Sequence, residues 1–236
     1  MSFSTKCRRA LWYPLGISAL SLLGMGPTQA ASPADAGKQI FTQGSPGVTA
    51  CITCHGAHGE GMAAANFPFL AGQGADYLMA QLQMFSDGSR ANPIMKPISA
   101  ALTPEQRQAV VAYIRTLPAP WNADKLAAQA TTLPDAKDIG AWLANRGDWA
   151  HEIPACIQCH AAGGIGVTPS FPAIAGLSKT YIVEQFTQWR AGQRAGGPQN
   201  LMGDIAKRMN DEQIAAVAGY FSALPQAASQ EGARKP

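Results

Sequence analysis

Two short motifs combine cysteine thiols with an imidazole at one fixed spacing. Both have the form Cys-x-x-Cys-His, at residues 51–55 and 156–160. Such a pair of thiols can be a redox dithiol, half of a zinc site or a local disulfide. With a histidine directly after it, the pair can also hold a haem through two thioether bonds, with the imidazole as the proximal iron ligand. The residues concerned are Cys51, Cys54, His55, Cys156, Cys159 and His160.

Haem attachment is the interpretation that accounts for every residue of both motifs. A thioredoxin-type dithiol expects a strand–helix context, and the sequence shows no convincing alternating strand. A zinc site needs four ligands, but His58 follows the first motif and His151 precedes the second, so no fourth ligand repeats at one offset. A disulfide leaves the histidines unexplained. We therefore predict two covalently attached haem c groups with His55 and His160 on the irons, and we expect His58 and His151 to be solvated.

The chain repeats itself after each motif. Cys51 and Cys156 are 105 positions apart, Phe67-Pro68 recurs 104 positions on as Phe171-Pro172, and the last helical pattern recurs after 107. A period this long indicates duplicated domains, not a solenoid. The predicted layout is a signal peptide at 1–30, a first domain at 31–118, a linker at 119–134, a second domain at 135–225 and a disordered tail at 226–236.

Each unit has the pattern of an all-α domain. A short helix is predicted near 34–41 and again near 136–145, and an amphipathic helix from 74 to 85 has its copy starting at Ser178. The last helix of the first unit starts at Thr103 with a capping box and a proline at the first helical position. Asn210 starts the corresponding helix of the second unit. We expect both last helices to stop at the Leu-Pro pairs 117–118 and 224–225.

The repeat also selects two methionines as candidate ligands for the distal side of each iron. Only Met95 and Met202 coincide between the copies, each eight residues before the residue that caps the last helix. A thioether is the usual sixth ligand of electron-transfer cytochromes. The other methionines of the two repeated units are expected to fill core or loop space, as the flexible thioether side chain often does. They are Met62, Met79, Met84 and Met209.

Two prolines are candidates for holding the histidine rings. A metal-bound imidazole normally donates its second N–H to a carbonyl or carboxylate. Pro68 and Pro172 follow their motif histidines by 13 and 12 residues, and we expect them to place such a carbonyl; a rigid turn is the alternative.

The N-terminus has the layout of an export signal. Lys6, Arg8 and Arg9 precede an apolar run at 11–25, and small residues surround a cut after Ala30. An uncleaved anchor is the alternative. The formal charge of +3 comes from 18 Lys and Arg against 15 Asp and Glu, so removal of the three signal cations leaves zero. That balance gives no support for a nucleic-acid partner, and no later apolar run approaches the ~20 residues of a membrane helix.

The combined motifs resemble those of the class I c-type cytochromes. They are Cys-x-x-Cys-His, the segments "FPFLAG" and "FPAIAG", a Tyr-x-x-x-Gln helix, a distal methionine and a final Tyr-x-x-x-Leu-Pro. The tandem form resembles the dihaem cytochrome c4 group of bacterial periplasms. The resemblance implies two tandem class I cytochrome c-like domains related by pseudo-twofold symmetry, with their haems facing one another. The segments before the two distal methionines, "SRANPIM" and "RAGGPQNLM", depart from that pattern and from each other.

We therefore expect a periplasmic electron carrier with no catalytic residue. Its irons would be six-coordinate, through His55 and Met95 in one domain and His160 and Met202 in the other. The expected partners are a quinol-oxidising complex, a terminal oxidase or a dehydrogenase, with no stable membrane insertion once the signal is cleaved. A cytochrome subunit of a periplasmic dehydrogenase is the alternative. A dihaem peroxidase is a further one, and it would need an open iron.

Overall fold

The structure is a computed structural model that describes Met1, residues 32–129 and residues 133–234. The predicted signal peptide and its cut after Ala30 lie outside these residues. The described chain is helical and contains only isolated β-bridges, which confirms the all-α prediction. The helices are α1 Pro33–Gln43, α2 Ile52–His55, α3 Ala75–Asp87, α4 Met95–Ala101, α5 Pro104–Ile114, α6 Ala123–Gln129, α7 Ile139–Arg146, α8 Ile157–His160, α9 Lys179–Arg190, α10 Leu201–Arg208 and α11 Asp211–Arg234.

Side-chain caps start several of these helices where the sequence predicts them. The Thr103 hydroxyl accepts a hydrogen bond from the Gln106 amide, and the Gln106 side chain accepts one from the Thr103 amide. Asn210 and Gln213 make the same reciprocal pair before α11. At the end of α3, Gly88 takes the left-handed conformation with φ of 84°. Each reciprocal pair satisfies two amides that the first helical turn leaves without partners.

Each unit has its own apolar core, built where its first helix crosses its last. Phe41 of α1 and Val110 of α5 are buried in the first core, and Leu143 of α7 and Phe221 of α11 in the second. At both crossings a glycine allows the two helices to approach each other closely. A Cβ at Gly140 would overlap the Ala216 carbonyl of α11, and the same relation holds between the first and last helices of the first unit.

Two predicted boundaries differ from the structure. The segment predicted as a linker, 119–134, contains α6, and Leu126 of that helix is 1 % exposed within the second core. Gly163 approaches the Leu126 backbone so closely that it has no room for a side chain. The segment predicted as a disordered tail, 226–236, instead continues α11 to Arg234 through Pro225. Proline removes one helical hydrogen bond, but the alanine, glutamine and glutamate after it are good helix formers.

Reciprocal backbone hydrogen bonds join the two units. The Ala91 amide donates to the Gln193 carbonyl at 2.7 Å, and the Ala195 amide donates to the Ser89 carbonyl at 2.8 Å. The positions in one bond are the copies, 104 residues away, of the positions in the other. A contact that recurs with its partners exchanged is the mark of a twofold relation.

A second set of contacts extends the same junction. The Gln73 side chain bonds both the carbonyl and the amide of Ala173, at 2.9 and 3.0 Å. Nearby, the Ser178 hydroxyl donates to the Asn66 side chain at 2.7 Å. Since Gln73 is buried, both polar ends of its amide are satisfied across the junction. The two units therefore meet through specific polar contacts as well as apolar ones.

The crossing glycines give a test with a matched control. We expect Gly140→Ala to lower the free energy of unfolding by about 1–3 kcal/mol, because the added methyl must displace the α11 backbone. Gly219→Ala, on α11 itself, meets no atom within 4 Å. It should be neutral or stabilising by up to about 1 kcal/mol, since alanine is the better helix former. Its copy in the first unit is already alanine, Ala112. Chemical denaturation of both variants measures the difference; equal losses would contradict the packing account.

Candidate haem sites

Each motif histidine lies at the end of a one-turn helix and is buried. His55 ends α2, His160 ends α8, and each is 8 % exposed. The turns are fixed by bonds from each histidine amide to the carbonyl of the first motif cysteine, both at 2.9 Å. Positions i, i+3 and i+4 of a helical turn share one face, so the two cysteines and the histidine of a motif lie on the same side of the turn.

Both imidazoles are held by the proline carbonyls that the sequence predicts. Nδ1 of His55 lies 2.8 Å from the Pro68 carbonyl, and Nδ1 of His160 lies 2.7 Å from the Pro172 carbonyl. A carbonyl only accepts, so Nδ1 must carry the proton in both rings. Nε2 is then left with its lone pair, which is the state that a metal ligand requires.

A glycine brings each proline carbonyl to its histidine. Gly61 donates to the His55 carbonyl and Gly166 to the His160 carbonyl, both at 2.8 Å. The two glycines have φ of 79° and 83°, and a Cβ at either would overlap the backbone of the segment that returns past the histidine. Glycine is needed here both for the left-handed conformation and for the close approach.

Burial sets the protonation of the motif side chains. It lowers the pKa of His55 and of His160, against a smaller opposite effect of the proline carbonyls, so both rings are neutral. Burial also raises the pKa of the Cys51 thiol to about 11 and that of the Cys156 thiol to about 12. A redox dithiol depends on a lowered thiol pKa, whereas the pKa values of Cys51 and Cys156 are raised. Neutral imidazoles beside paired thiols are a donor set that fits covalently attached haem.

Neither a disulfide nor a zinc site gains support from the geometry of the motifs. The four motif cysteines are free of disulfides. In the described ranges, no group of three or more His, Cys, Asp and Glu side chains is placed to hold a metal ion. His58 and His151 are exposed, as expected, and His151 bonds Asp148 at 2.7 Å.

Both candidate distal methionines stand at the start of a helix and are half-buried. Met95 is the first residue of α4, and the Asn92 side chain accepts a hydrogen bond from its amide at 2.8 Å. Met202 lies in the first turn of α10, after Gln199 and Asn200, which both have positive φ. The segments that precede the two methionines thus differ in backbone conformation, as their sequences do. Met209 is buried in the second core, which confirms its expected packing role.

Two arginines hold the helices that carry the candidate methionines, α4 and α10. Neither arginine is repeated in the other unit, so the internal repeat does not point to them. In the first unit Arg107 bonds the Ser99 carbonyl of α4 at 3.0 Å and two side chains of α3. In the second unit Arg190, on α9, bonds the carbonyls of Ala206 and Met209 at the end of α10. A cation at a helix C-terminus meets the carbonyls that lack helical partners. The two arginines are not copies of each other, so a match between the units could not reveal either.

The comparisons with known proteins agree with this geometry. The chain matches the cytochrome c family over residues 34–118. It is 45 % identical over 220 residues to the thiosulfate dehydrogenase electron acceptor of Stutzerimonas stutzeri (strain A1501), which covers 92 % of this chain and 97 % of the relative. It is 32 % identical over 211 residues to cytochrome c4 of Pseudomonas aeruginosa, covering 88 % and 97 %.

One solved structure extends the comparison to the fold. It is thiosulfate dehydrogenase (TsdBA) from Marichromatium purpuratum in the "as isolated" form, with a TM-score of 0.71 and 37 % identity. The likeness covers 83 % of this chain and 41 % of that one, so this chain spans about two fifths of that protein.

Two helical domains, each with a buried motif histidine beside paired thiols, are the arrangement of a c-type cytochrome. The chain belongs to the cytochrome c family, in its dihaem cytochrome c4-type group, and carries two covalently attached haem c groups. It is an electron-transfer protein and not an enzyme, in agreement with the sequence-based expectation. In the described part of the chain, no helix is long and apolar enough to cross a membrane.

The arginine on α5 gives the second test. Arg107→Met keeps the length of the side chain but removes its bonds to α3 and α4, so the free energy of unfolding should fall by about 1–3 kcal/mol. Amide exchange in α4 should quicken. The control is Arg208→Met, because Arg208 is exposed and contacts the surface residue Glu152 through its carbonyl at 3.0 Å and its carboxylate at 3.5 Å. The effect should stay within about 0.5 kcal/mol, since an exposed ion pair contributes little. A similar loss in both variants would show that Arg107 does not hold α4.

Proposed function

We propose that the motif residues hold the two haems in the same way in both domains. The thioethers form at Cys51 and Cys54 in the first domain, and at the two cysteines of the second motif, Cys156 and Cys159. His55 and His160 are the proximal ligands. The observation that carries this proposal is the neutral, buried imidazole whose Nδ1 is tied to a proline carbonyl, present in both copies.

Met95 and Met202 are the distal ligands in this proposal. Methionine and histidine together would leave no position on the iron for a substrate, so electrons would enter and leave through the haem edge without bond making. The pairing also favours a raised reduction potential. A dihaem peroxidase would need one open iron, and the matched methionines at the start of α4 and α10 argue against it.

The distal ligands are tested by single replacements. Met95→Leu or Met202→Leu should abolish the methionine–iron charge-transfer band of one haem, and Met95→His should lower the potential of its domain, because methionine ligation raises it. The control is Met209→Leu, a buried methionine of the second core, which should change stability only. Absorption spectra and a redox titration with a haem count report all three. An unchanged band and potential in either leucine variant would refute the assignment of that methionine.

The electron donor in this proposal is a thiosulfate dehydrogenase. The support is the 45 % identity to an electron acceptor of such an enzyme, over nearly the full length of both chains. The solved thiosulfate dehydrogenase also contains a region that resembles this chain. The second candidate is a freely diffusing carrier between a quinol-oxidising complex and a terminal oxidase, favoured by the 32 % identity to a cytochrome c4. Both roles place the protein in the periplasm, which the predicted signal peptide supports.

Apolar side chains beside the distal methionines are suited to brief docking. Ile94 is 50 % exposed and Leu201 is 45 % exposed, and each directly precedes its methionine. Without the predicted signal the formal charge is zero, so long-range steering by net charge is weak. Contact between small apolar patches then governs which haem receives the electron.

A rapid-mixing experiment tests the donor and the entry haem together. The oxidised protein is mixed with thiosulfate and the thiosulfate dehydrogenase of Stutzerimonas stutzeri, and haem reduction is followed by absorbance. We expect faster reduction than for the Pseudomonas aeruginosa cytochrome c4, and none without thiosulfate. Ile94→Ser or Leu201→Ser should slow the reaction without changing either potential, and the more damaging one marks the entry haem. Equal rates for the two cytochromes would favour the second candidate.

A further inference from the structure

A buried glutamine of the first domain reaches the segment of the second domain that holds His160. Gln73 is 4 % exposed. Its side-chain oxygen accepts a hydrogen bond from the Ala173 amide at 3.0 Å, and its side-chain NH₂ group donates to the Ala173 carbonyl at 2.9 Å. A backbone N–H only donates, so these partners fix which end of the Gln73 amide is the oxygen. The glutamine thus presents an acceptor to the Ala173 N–H across the domain junction.

The Ala173 N–H belongs to the same peptide group as the carbonyl that holds His160. This group joins Pro172 to Ala173, and its oxygen accepts the proton of His160 Nδ1 at 2.7 Å. One planar peptide therefore accepts a hydrogen bond from the imidazole and donates its own proton to Gln73. The result is a chain of hydrogen bonds from the imidazole, through one peptide group, to a side chain of the other domain.

This chain of hydrogen bonds lies in the interior of the protein. His160, Ala173 and Gln73 are all buried. A hydrogen bond in such surroundings is electrostatically stronger than in water, and consecutive bonds polarise one another by about 10–30 % each. When Gln73 accepts the Ala173 proton, the oxygen of the same peptide group becomes more negative. The bond from that oxygen to the His160 ring is therefore strengthened from the other domain.

Contacts with the first domain and with the segment after it hold Gln73 in place. Its backbone amide donates to the Leu70 carbonyl at 3.2 Å, and its backbone carbonyl accepts from the Arg115 side chain at 3.3 Å. The preceding residue, Gly72, lies so close to Trp121 that a Cβ would come within 2.9 Å of the indole ring. The acceptor offered to Ala173 is therefore positioned by residues outside the second domain.

The first domain has no equivalent of this glutamine behind its own proline carbonyl. The copy of Gln73, 104 residues along the chain, is Leu177, and its side chain cannot accept a hydrogen bond. The two motif histidines are otherwise held alike, by carbonyls at 2.8 and 2.7 Å. The domains therefore share the carbonyl that receives the imidazole proton and differ in the side chain that supports this carbonyl.

We propose that Gln73 is a positioning residue for the proximal ligand of the second haem, and that its bond to the Ala173 amide lowers the reduction potential of that haem. This inference rests on the proposed function, because His160 must be the iron ligand. A stronger hydrogen bond at Nδ1 makes the imidazole a more basic ligand through Nε2. A more electron-rich ligand favours ferric over ferrous iron, since ferric iron carries one more positive charge. In a protein that holds one electron, Gln73 thus shifts this electron toward the first haem.

Gln73→Leu tests the inference, because leucine is the residue at the equivalent position of the other repeat. In this variant of the intact dihaem protein the Ala173 amide loses its acceptor and the bond to His160 weakens. At a fixed solution potential the ferric-to-ferrous ratio of the second haem should fall about threefold, a rise of about 28 mV where tenfold is about 59 mV. The first haem should keep its potential. A redox titration measures both haems, and Met95→Leu and Met202→Leu identify which signal belongs to which.

Two further readouts separate this role from a merely structural one. The NMR signal of the His160 Nδ1 proton in the reduced protein should move to lower frequency in Gln73→Leu, because the hydrogen bond weakens. Gln73→Glu keeps an acceptor oxygen at the same distance along the side chain, so the potential of the second haem should not rise. A rise in Gln73→Glu as large as in Gln73→Leu would overturn the proposal, since the acceptor would then be irrelevant.

Asn66→Gly is the matched control at the same junction. Asn66 accepts from Ser178 and donates to Glu184 of the second domain, and neither bond involves the peptide group behind His160. Its φ of 63° suits glycine, so the backbone is kept. The variant loosens the junction and should leave the potential of the second haem unchanged. An equal shift in Asn66→Gly and Gln73→Leu would reveal a general effect of the junction and reject the specific role of the glutamine.

Failure of this inference is distinguishable from failure of the proposed ligands. Both methionine–iron bands and the haem count should be unchanged in Gln73→Leu. If they are unchanged and the second potential and the Nδ1 signal also stay at their wild-type values, the role of Gln73 is rejected and the haem ligands stand. Retention of two low-spin haems in His160→Gly would instead reject the proximal ligand itself.

Discussion

The hydrogen bond from each buried imidazole to a proline carbonyl is the contact on which the rest of each domain depends. It fixes the proton on Nδ1 and turns Nε2 away from the carbonyl, while burial keeps the ring neutral. The bond exists only because the chain returns past the histidine within 13 residues, and a glycine in the left-handed conformation, Gly61 or Gly166, permits that return. The segment then leads directly into the residues at the domain junction. The hydrogen bond to the proline carbonyl thus orients the histidine and also positions the segment that leads to the other domain.

Both domains have the same hydrogen bond from the motif histidine to a proline carbonyl. They differ in how the helix that carries the candidate distal methionine begins. Asn92 fixes the start of α4 by accepting backbone hydrogen bonds, whereas Gln199 and Asn200 use positive φ before α10. Arg107 reaches α4 from the last helix, but Arg190 reaches α10 from the middle one. A methionine can be presented by any rigid turn, while an imidazole needs a particular acceptor. The proximal geometry is therefore repeated more strictly than the distal geometry.

The contrast between repeated and unrepeated features explains which parts of the structure can be predicted from the sequence. The helical units, the capping boxes and the proline carbonyls leave repeated or short-range patterns, and the structure confirms each of them. Leu126 falls in the predicted linker because one large apolar residue in a seven-residue helix makes no periodic pattern, and its burial depends on a distant glycine. The supporting arginines escape prediction because each stands opposite a different residue type in the other copy. The ligand roles of Met95 and Met202 stay predictions.

A pair of arginines at the domain junction is hidden in the sequence for a further reason. Arg90 and Arg194 are copies, so they agree with the repeat, but each looks like one more surface charge in a chain whose formal charge is small. Only the junction shows them to be buried and to exchange glutamine partners. A residue that lies on the twofold axis must face its own copy, so a single arginine in the ancestral unit becomes two like charges in contact. Gln81 and Gln185 each accept hydrogen bonds from both guanidiniums, and so they hold the two like charges together at the junction.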